Sequence, residues 1–425
     1  MDNRKGVETH HHRKTAAELY EVQPYYQRFN QKYNMTRQML WDETASKLQK
    51  KRSDRLAQLA QNDRNGCYVL DRAFYLGAQT NLEGTGFSVN WPNRRGNSWE
   101  SVRRLAQPGS EPLPDATSLK WQDGAAEASM LIRRLALRFG ANQVGFCRLD
   151  RRWVYSHWFD EETSEDYPIK FSDEAGYEGR SQPAQLEDRT QVIPKEMQHV
   201  VVLIYEMDRD AIATAPNLPE WDEVQLAYSR ISFTTASLAE FIRGLGYNAI
   251  PSSNCTALSI PLAIDAGLGQ LGRNAKLINP LFGPRCRISK IITDLPLAAD
   301  KPIDFGFTEF CDKCQKCARS CPAGAIPIGE RSLEPVNECN HRGILTWQVD
   351  HKKCYQYWAE VGTNCGICLR TCPFNKGRGK THDVVHWFIK NVRVADPLFI
   401  KLDDALGYGK SVSSNGFWQK TKEGV

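Results

Sequence analysis

The sequence predicts a mixed α+β fold that consists of an α/β body and a ferredoxin-like insert for two iron–sulfur clusters. Strand-like and helix-like segments alternate between about residues 106 and 305, a pattern that favours strands and helices packed in layers. Eight of the thirteen cysteines then fall in two groups between residues 311 and 372. The composition, 41% hydrophobic and 25% charged, is ordinary for a globular protein of 425 residues.

The elements of the body follow from hydrophobic periodicity and from turn residues. The first helix is predicted from about Asp123 to a stop at Gly140. Strands are expected at 143–149, 199–205 and 287–293, and further helices at 224–242 and 258–266. Four regions result: an N-terminal region (1–105) that packs on the core, the α/β core (106–305), the cysteine-rich insert (306–380) and a tail (381–425) that completes the core.

Charge and hydropathy narrow the classes of partner. The net charge is +5, from 55 basic and 50 acidic residues, and no basic tract is sustained, so no nucleic-acid partner is predicted. No apolar run reaches the roughly 18–20 residues that a transmembrane helix needs. The polar start, MDNRKGVETHHHRK, has no apolar signal core. The sequence therefore predicts either a cytoplasmic protein or a chain that begins after a removed leader.

The first cysteine group has the spacing C-x2-C-x2-C-x3-C-P and contains Cys311, Cys314, Cys317 and Cys321. The two-residue gaps let three thiolates surround three corners of one cubane, and the fourth cysteine binds the neighbouring cluster. The second group contains Cys354, Cys365, Cys368 and Cys372, and its first gap is ten residues long. A loop is therefore expected there in place of a tight turn.

Each group supplies three ligands to one cluster and its fourth cysteine to the other, and we call this exchange the crossing of the groups. The sequence therefore predicts two [4Fe–4S] clusters. Cluster A is assigned to Cys311, Cys314, Cys317 and Cys372, and cluster B to Cys354, Cys365, Cys368 and Cys321. Zinc binding and reduced structural thiols are the alternatives, and the nested order with two Cys-Pro ends disfavours both. Two adjacent clusters can pass single electrons, so we expect the acceptor in the α/β body.

A glycine-rich segment marks one ligand-binding candidate in the body. No G-x-G-x-x-G follows a strand, so a nicotinamide or flavin site of the Rossmann type has no support. In AGLGQLGRNA (266–275), the residues Gly267, Gly269 and Gly272 would let the backbone approach a bulky ligand closely. A packed turn explains the same pattern, so both interpretations stay open.

The chain resembles the corrinoid-dependent reductive dehalogenases, and the similarity is greatest to the respiratory, tetrachloroethene type. The resemblance is specific from about residue 120 to 410 and loose before that. Besides both cysteine groups, it rests on YSR (228–230), RGLGY (243–247), AIP (249–251), AGLG (266–269), TDLP (293–296), DKPIDFG (300–306), TEFC (308–311) and DDALGY (403–408).

The resemblance implies a nitroreductase-like α/β core that holds a cobalamin-type corrinoid in the base-off state. One cluster would lie beside the corrinoid and the other nearer the surface. The implied reaction is reductive: electrons from the two clusters generate Co(I), the carbon–halogen bond of an organohalide is cleaved, halide leaves and carbon receives a proton.

The resemblance also implies a catalytic trio of Tyr228, Asn254 and Arg287. In this interpretation Tyr228 donates the proton, Arg287 stabilises the phenolate and the departing halide, and Asn254 orients the phenol. The chemistry is plausible on its own, because an adjacent guanidinium and an amide donor both favour a phenolate. A tyrosine on a helix, an asparagine in a turn and an arginine on a strand also occur as ordinary packing and capping residues.

The substrate pocket is predicted with less detail. Trp358 matches a pocket tryptophan of the family, and Trp91 is a second candidate in the turn-rich stretch 84–99. Asn364 stands where the chloroethene enzymes carry an aromatic residue, and Val224 where they carry a threonine. These two departures leave the exact organohalide open. Core packing is the competing explanation for each aromatic residue.

The location and the partners of the protein are predicted from the family resemblance alone, because no residue of this sequence indicates them. Family members are exported with a twin-arginine leader, so we expect a mature or trimmed chain at the outer face of the cytoplasmic membrane. A small membrane anchor protein and a quinol-linked electron donor are the implied partners. The oligomeric state, a homodimer included, is open.

Two other functions are compatible with parts of the pattern. Epoxyqueuosine reductases also combine cobalamin with two clusters and act on tRNA, and GLGQLGRNA resembles their glycine-rich segment. Tyr228 in place of that family's acid, the DDALGY tail and the lack of helical repeats argue against them. A two-cluster electron carrier with an inert body is the non-catalytic alternative, and it would contain iron without cobalt.

Overall fold

The structure is a computed structural model, and it describes residues 14–61, 70–71, 120–376, 389 and 392–422. Before the body it has helices α1 (Ala16–Leu19), α2 (Met35–Trp41) and α3 (Glu43–Gln61). A capping box stabilises the N-terminus of α1. In it, the Thr15 hydroxyl accepts from the Glu18 N–H and the Glu18 carboxylate accepts from the Thr15 N–H. The predicted loop 84–99, with Trp91, lies outside the described residues.

The remaining elements follow in chain order. The strands are β1 (Gln143–Arg148), β2 (His157–Asp160), β3 (Glu165–Phe171), β4 (Ala184–Gln185), β5 (Gln191–Ile193), β6 (His199–Glu206), β7 (Ala249–Ser252), β8 (Gln270–Leu271), β9 (Leu277–Ile278) and β10 (Cys286–Thr293). The helices are α4 (Ala125–Arg138), α5 (Arg209–Ile212), α6 (Leu218–Gly244), α7 (Ser259–Asp265), α8 (Phe307–Cys314), α9 (Lys316–Arg319), α10 (His351–Val361), α11 (Ile367–Arg370), α12 (Asp396–Ala405) and α13 (Ser414–Lys422).

A four-stranded antiparallel sheet forms the centre of the body, in the order β1-β6-β10-β7. Strand β6 is apolar and buried on both faces. Val200, Val202 and Ile204 point to a core shared with α7, and the alternate residues Val201 and Leu203 point to a core shared with α4 and α6. The sheet therefore lies between two helical layers, and the predicted strands and helices of the body are confirmed as elements.

Helix α6 is longer at its start than the sequence indicated. It begins at Leu218, with Pro219 in the first turn, and not near Val224. The early part was missed because three carboxylic acids interrupt its apolar pattern, although Glu220, Asp222 and Glu223 are all buried. These side chains give the start of α6 a buried acidic character.

A second sheet, in the order β2-β3-β5-β4, was not predicted. Its strands have two to seven residues and polar sequences, so their alternation is too short to recognise. Strand β3 still buries Ile169 and Phe171 against the N-terminal helices. The sheet extends the core on the side that carries α1.

The tail docks on the cysteine-rich segment through buried charges. The Asp403 carboxylate of α12 is 2% exposed and pairs with Lys316 and Lys376, each at 2.5 Å. A buried carboxylate needs such partners, since its desolvation is costly. The DDALGY motif thus fixes the tail against the cysteine-rich segment. None of the described helices is both long and apolar enough to cross a membrane.

Candidate active site

Three elements of the body bring the predicted trio together. Tyr228 lies on α6, Asn254 in the loop after β7, and Arg287 on β10, where it pairs in register with Tyr205. The Asn254 Nδ2 donates a hydrogen bond of 2.8 Å to the Tyr228 phenol oxygen. The Arg287 guanidinium carbon lies 5.5 Å from the centre of the Tyr228 ring. A cation and an amide donor therefore both contact one half-buried phenol.

A buried lysine fixes the loop that carries Asn254. The Lys290 ammonium, which is 0% exposed, donates to the Ser253 carbonyl at 2.6 Å and to the Ser259 hydroxyl at 3.0 Å. Burial lowers the pKa of Lys290 to about 8. This residue was not predicted from the sequence. A lysine directly before the apolar pair Ile291 and Ile292 was the signal that could have indicated it.

Two polar atoms beside the trio are buried without a hydrogen-bond partner in the described part of the chain. They are the Nε of Arg287 and the hydroxyl of Ser253. Buried polar groups in folded proteins are nearly always hydrogen-bonded, so these atoms are suited to a polar ligand. Together with Asn254 they give this side of the trio free hydrogen-bonding capacity.

Glu220 links the trio to the cysteine-rich segment. Its side chain is 0% exposed, and burial raises its pKa to about 7, with the positive charge of Arg287 as the strongest opposing influence. A Cβ at Gly366 would lie only 2.3 Å from the Glu220 carboxyl carbon, and Gly366 has a φ of +64°. Only glycine fits there without strain, so the carboxyl group packs directly on the loop between Cys365 and Cys368.

The structure separates the predicted pocket residues. Val224 is buried one turn before Tyr228 and packs in the same cluster. Trp358 lies on α10 in a different cluster, with Tyr355 at a ring distance of 5.5 Å. Its indole faces Arg52, whose guanidinium carbon is 5.3 Å from the Trp358 ring and 4.2 Å from the Trp221 ring. Asn364 is buried in the loop before Cys365, and its Oδ1 has no hydrogen-bond partner within the described residues.

The glycine-rich turn is packed against protein on its Cβ side. A Cβ at Gly267, which has a φ of +69°, would lie 2.4 Å from the Lys301 carbonyl oxygen. Cβ atoms at Gly269 and Gly272 would collide with the backbone and the side chain of Ile278, respectively. Close packing is therefore sufficient to explain these glycines, and their contact with a ligand stays a prediction.

The four cysteines assigned to cluster A line one cavity together with Arg273 and aromatic residues. The lining includes Cys311, Cys314, Cys317 and Cys372, and also Phe310 and Phe374. Burial raises the pKa of Cys311 to about 12, and the neighbouring Cys314 contributes. The donor set and the apolar wall fit a cubane, in which each thiolate binds a different iron atom.

The cysteines of cluster B are also grouped. Burial, and then the adjacent Cys368, raise the pKa of Cys354 to about 12, and Cys321 adds to the effect. Burial, and then the neighbouring Cys368 and Cys354, raise the pKa of Cys365. Within the described residues, no three His, Cys, Asp or Glu side chains form a group for a single metal ion. Cys321 thus acts on Cys354 of the second group, as the predicted exchange of one cysteine between the groups requires.

The cysteines assigned to cluster B are the ones adjacent to the trio. Cys368 and Leu369 pack in one hydrophobic cluster with Val224 and Tyr228 of α6. Cys314 and Cys372, assigned to cluster A, pack instead in the aromatic core of Phe307, Phe310 and Phe374. The two groups are neighbours, since the Cys368 thiol contributes to the raised pKa of Cys317. The ligands assigned to cluster B therefore lie on the Tyr228 side of those assigned to cluster A.

The other described cysteines carry no disulfide. Cys147 and Cys286 are buried in the body, Cys255 is half-buried, and the Cys339 sulfur accepts a hydrogen bond from Gln38 at 3.2 Å. The free thiols lie outside both cluster groups.

Comparison with known proteins identifies the family. A family model described as "reductive dehalogenase subunit" matches residues 55–297, and a "4Fe-4S dicluster domain" matches residues 310–376. The tetrachloroethene reductive dehalogenase of Sulfurospirillum multivorans is 37% identical over 358 residues, which cover 79% of this chain and 69% of that protein. The chain belongs to the reductive dehalogenase family. The predicted resemblance and the two-cluster domain are thereby confirmed.

Further relatives agree with the family assignment. The tetrachloroethene reductive dehalogenase of Desulfitobacterium hafniense is 33% identical over 342 residues, 76% of this chain and 59% of that protein. The trichloroethene reductive dehalogenase of Dehalococcoides mccartyi is 28% identical, over 70% of this chain and 58% of that protein. The chain therefore spans between about three fifths and two thirds of the length of these reductive dehalogenases.

Solved structures of reductive dehalogenases share the fold. One, described as suggesting a mechanism for B12-dependent dehalogenation, aligns with a TM-score of 0.54 at 27% identity and covers 68% of this chain and 38% of its own. A catabolic reductive dehalogenase aligns with a TM-score of 0.62 over 92% of this chain and 48% of its own, at 23% identity. These likenesses confirm the mixed helix-and-sheet architecture.

The epoxyqueuosine alternative has only a partial match. The epoxyqueuosine reductase of Lactococcus garvieae is 29% identical over 125 residues, which cover 28% of this chain and 32% of that protein. The reductive dehalogenase match extends over most of the chain, so the comparisons favour the predicted reductive dehalogenase over the epoxyqueuosine reductase.

Proposed function

We propose that this chain is a corrinoid-dependent reductive dehalogenase of the tetrachloroethene type, which removes halide from a small organohalide. The observation that carries the proposal is the 2.8 Å hydrogen bond from Asn254 to the Tyr228 phenol, with Arg287 against the same ring and cluster B packed beside it. A proton donor and an electron relay thus face one site. An electron carrier needs neither a polarised phenol nor a large body.

The corrinoid is a proposal supported by the polar groups around the trio. The Nε of Arg287 and the Ser253 hydroxyl are buried without partners in the described chain, which suits them to the polar edge of a bound cofactor. A base-off corrinoid would be held in the nitroreductase-like core by the residues around the trio. When bound, it supplies the low-valent cobalt that cleaves carbon–halogen bonds. The glycines 267, 269 and 272 remain candidates for contact with it.

The residues of the chain handle the proton and the developing charge. Tyr228 holds a proton on its phenol oxygen and delivers it to the substrate carbon. The Asn254 amide aims that oxygen and stabilises the phenolate left behind, because a hydrogen bond to a charged group is stronger than one between neutral groups. Arg287 stabilises the same negative charge and the departing halide. Lys290 holds the Asn254 loop rigid and thereby keeps the phenol in place.

The remaining assignments extend the same proposal. Val224, Trp358, Asn364 and Trp91 are proposed to line the substrate pocket. The regions 1–105, 106–305, 306–380 and 381–425 serve as packing region, corrinoid core, cluster domain and closing tail. We also propose action at the outer face of the cytoplasmic membrane, with a membrane anchor protein and a quinol-linked donor.

Metal analysis combined with halide release tests the function. The protein is reconstituted anaerobically with iron, sulfide and cobalamin, desalted, and assayed with a low-potential reductant on tetrachloroethene, trichloroethene and their brominated analogues. We expect one cobalt and two cubanes per chain, and halide release that requires both metals. Protein that binds iron but never cobalt would instead be an electron carrier. Cobalt binding without halide release from the whole panel would contradict the proposed substrate class.

A further inference from the structure

A single short hairpin of the body reaches both clusters. Strands β8 and β9 pair antiparallel, and residues 272–276 form the turn between them. The Gly272 N–H donates to the Lys276 carbonyl at 2.9 Å, and Ala275 takes a left-handed backbone with a φ of +54°. Ala275 packs on the same buried cluster, formed by Ala318, Ile326 and Val349, as Cys317 of the first group and Cys321 and Cys368, which are assigned to cluster B. The turn therefore lies between the two groups of ligands.

The two cations of this turn face different clusters. Arg273 is 2% exposed, and its guanidinium donates only to backbone carbonyls, among them those of Cys311 at 2.9 Å and Asp312 at 3.2 Å. Burial raises the pKa of the cluster A thiols Cys311 and Cys317, and the positive charge of Arg273 lowers it. On the other side of the turn, the Asn274 amide donates to the Cys368 carbonyl at 3.5 Å, and the charge of the neighbouring Lys276 lowers the pKa of the thiols Cys354 and Cys368.

Neither cation forms an ion pair with a carboxylate of the described residues, although the Asp312 carboxylate lies close enough to Arg273 to raise its pKa. The ion pairs among the described residues include neither Arg273 nor Lys276. An uncompensated charge in a partly buried site acts over a longer range than a solvated one, because the local dielectric is low. Reduction adds one negative charge to a cluster that is already anionic. A nearby cation therefore makes that cluster easier to reduce, since net charge and hydrogen bonds set cluster potentials.

We propose that the hairpin turn 272–276 is an electrostatic element that sets the reduction potentials of the two clusters separately. Arg273 stabilises the reduced form of cluster A and Lys276 the reduced form of cluster B. Because cluster B lies beside Tyr228, the charge of Lys276 draws the electron from A towards the active site. The inference rests on the two-cluster domain and is independent of the proposed dehalogenation.

Redox titration followed by electron paramagnetic resonance measures this effect directly. The signals of the two clusters are assigned in the fully reconstituted protein with Cys311→Ala and Cys354→Ala, which each remove one cluster. In Lys276→Met we expect a lower midpoint potential of cluster B, equivalent to at least a tenfold weaker one-electron reduction equilibrium (about 59 mV). Cluster A should keep its potential within a third of that shift, and Lys276→Arg should restore cluster B.

Lys353→Met is the matched control. Lys353 directly precedes Cys354, but its side chain is 61% exposed, so solvent and salt screen its charge. We expect a shift of cluster B much smaller than that of Lys276→Met. An unchanged cluster B in Lys276→Met, an equal shift of both clusters, or an equal shift in Lys353→Met would each overturn the proposal. If Lys276→Met fails to bind cluster B, Lys276→Gln provides the same measurement.

Arg273 gives the reciprocal test. Because its guanidinium also holds the carbonyls of the loop, Arg273→Lys is the appropriate change: the charge is kept and the fork of hydrogen bonds is lost. We expect cluster A to keep most of its potential in Arg273→Lys and to be lowered in Arg273→Gln, with cluster B unchanged in both. A potential of cluster A that is indifferent to Arg273→Gln would contradict its part in the proposal.

Discussion

The Asn254 amide and the Tyr228 phenol lie 2.8 Å apart, although they come from different elements. Tyr228 is placed by the third turn of α6, and Asn254 by the loop that follows β7. Lys290 of β10 ties that loop to the central sheet through the Ser253 carbonyl. The geometry of the phenol thus depends on one helix, one loop and one strand, and the loop contact can be tested alone.

Replacing Asn254 with alanine should slow halide release. The change removes the amide donor to the phenol oxygen, and a hydrogen bond to a charged group contributes about 1.5–3 kcal/mol. We expect turnover to fall roughly 10- to 150-fold, with cobalt and iron contents unchanged. Asn254→Asp replaces the donor with an acceptor and should lose at least as much. Turnover of Asn254→Ala equal to that of the wild type would exclude a role for this bond.

Arg287→Lys should keep part of the activity and Arg287→Met much less. Lysine preserves the positive charge next to the phenol but loses the planar guanidinium that contacts the ring. Single-turnover halide release with prereduced protein measures this step without cluster reduction. We expect the order wild type, Lys, Met, with about a hundredfold loss for Met, as for the removal of a stabilising donor in other enzymes. Equal rates for Lys and Met would show that the charge is not used.

The buried carboxyl group of Asp222 predicts a pH dependence of stability. Burial, and then the carboxylates of Asp71, Glu220 and Glu223, raise the pKa of Asp222 from 3.8 to about 9. The folded protein therefore holds a proton there that the unfolded chain loses above pH 4, and stability falls as the pH rises towards 9. Asp222→Asn cannot lose this proton. The variant should gain up to about 1.4 kcal/mol over the wild type for each pH unit.

Anaerobic urea unfolding at pH 6, 7 and 8 checks this dependence. The difference in unfolding free energy between Asp222→Asn and the wild type should widen steadily with pH. A difference that stays constant over this range would mean that Asp222 is ionised in the folded protein. Iron content is followed in parallel, so that cluster loss is not mistaken for unfolding.

The crossing of the cysteine groups makes a paired prediction. Cys321→Ala and Cys354→Ala should lose the same cluster, although Cys321 belongs to the first sequence motif. Cys372→Ala and Cys311→Ala should lose the other. Iron analysis and the paramagnetic spectra of the reduced variants reveal which cluster remains. If Cys321→Ala matched Cys311→Ala instead, the assignment of the ligands would be reversed at these positions.

Three of the four strands of the central sheet were predictable because their signals are local, whereas the four-residue β7 was not predicted. The residues 200–205 form an uninterrupted apolar run, and the cysteine spacings determine ligands almost independently of the rest of the chain. The second sheet escaped prediction because its strands are short and polar. The start of α6 escaped because Glu220 and Asp222 are acids buried in a place where sequence patterns predict exposure.

The site itself could be predicted only in part. Tyr228, Asn254 and Arg287 are far apart in sequence, and only the resemblance to a known family suggested them together. Lys290 and Glu220 were missed because a charged residue in a strand or helix gives no indication, from the sequence alone, of its burial or of its partner. The glycine-rich turn shows the converse: the pattern indicated a ligand, yet packing against Lys301 and Ile278 also accounts for it.

Halide release by Tyr228→Phe tests the account most directly. The change removes only the phenol oxygen, and Tyr205→Phe is the control, since its buried hydroxyl bonds Thr235 at 3.3 Å and Ser289 at 3.2 Å rather than a residue of the trio. With equal cobalt and iron, we expect Tyr228→Phe to lose between roughly a hundredfold and ten-thousandfold in halide release, and Tyr205→Phe to stay near the wild type. Undiminished halide release by Tyr228→Phe would contradict the assignment of its phenol as the proton donor.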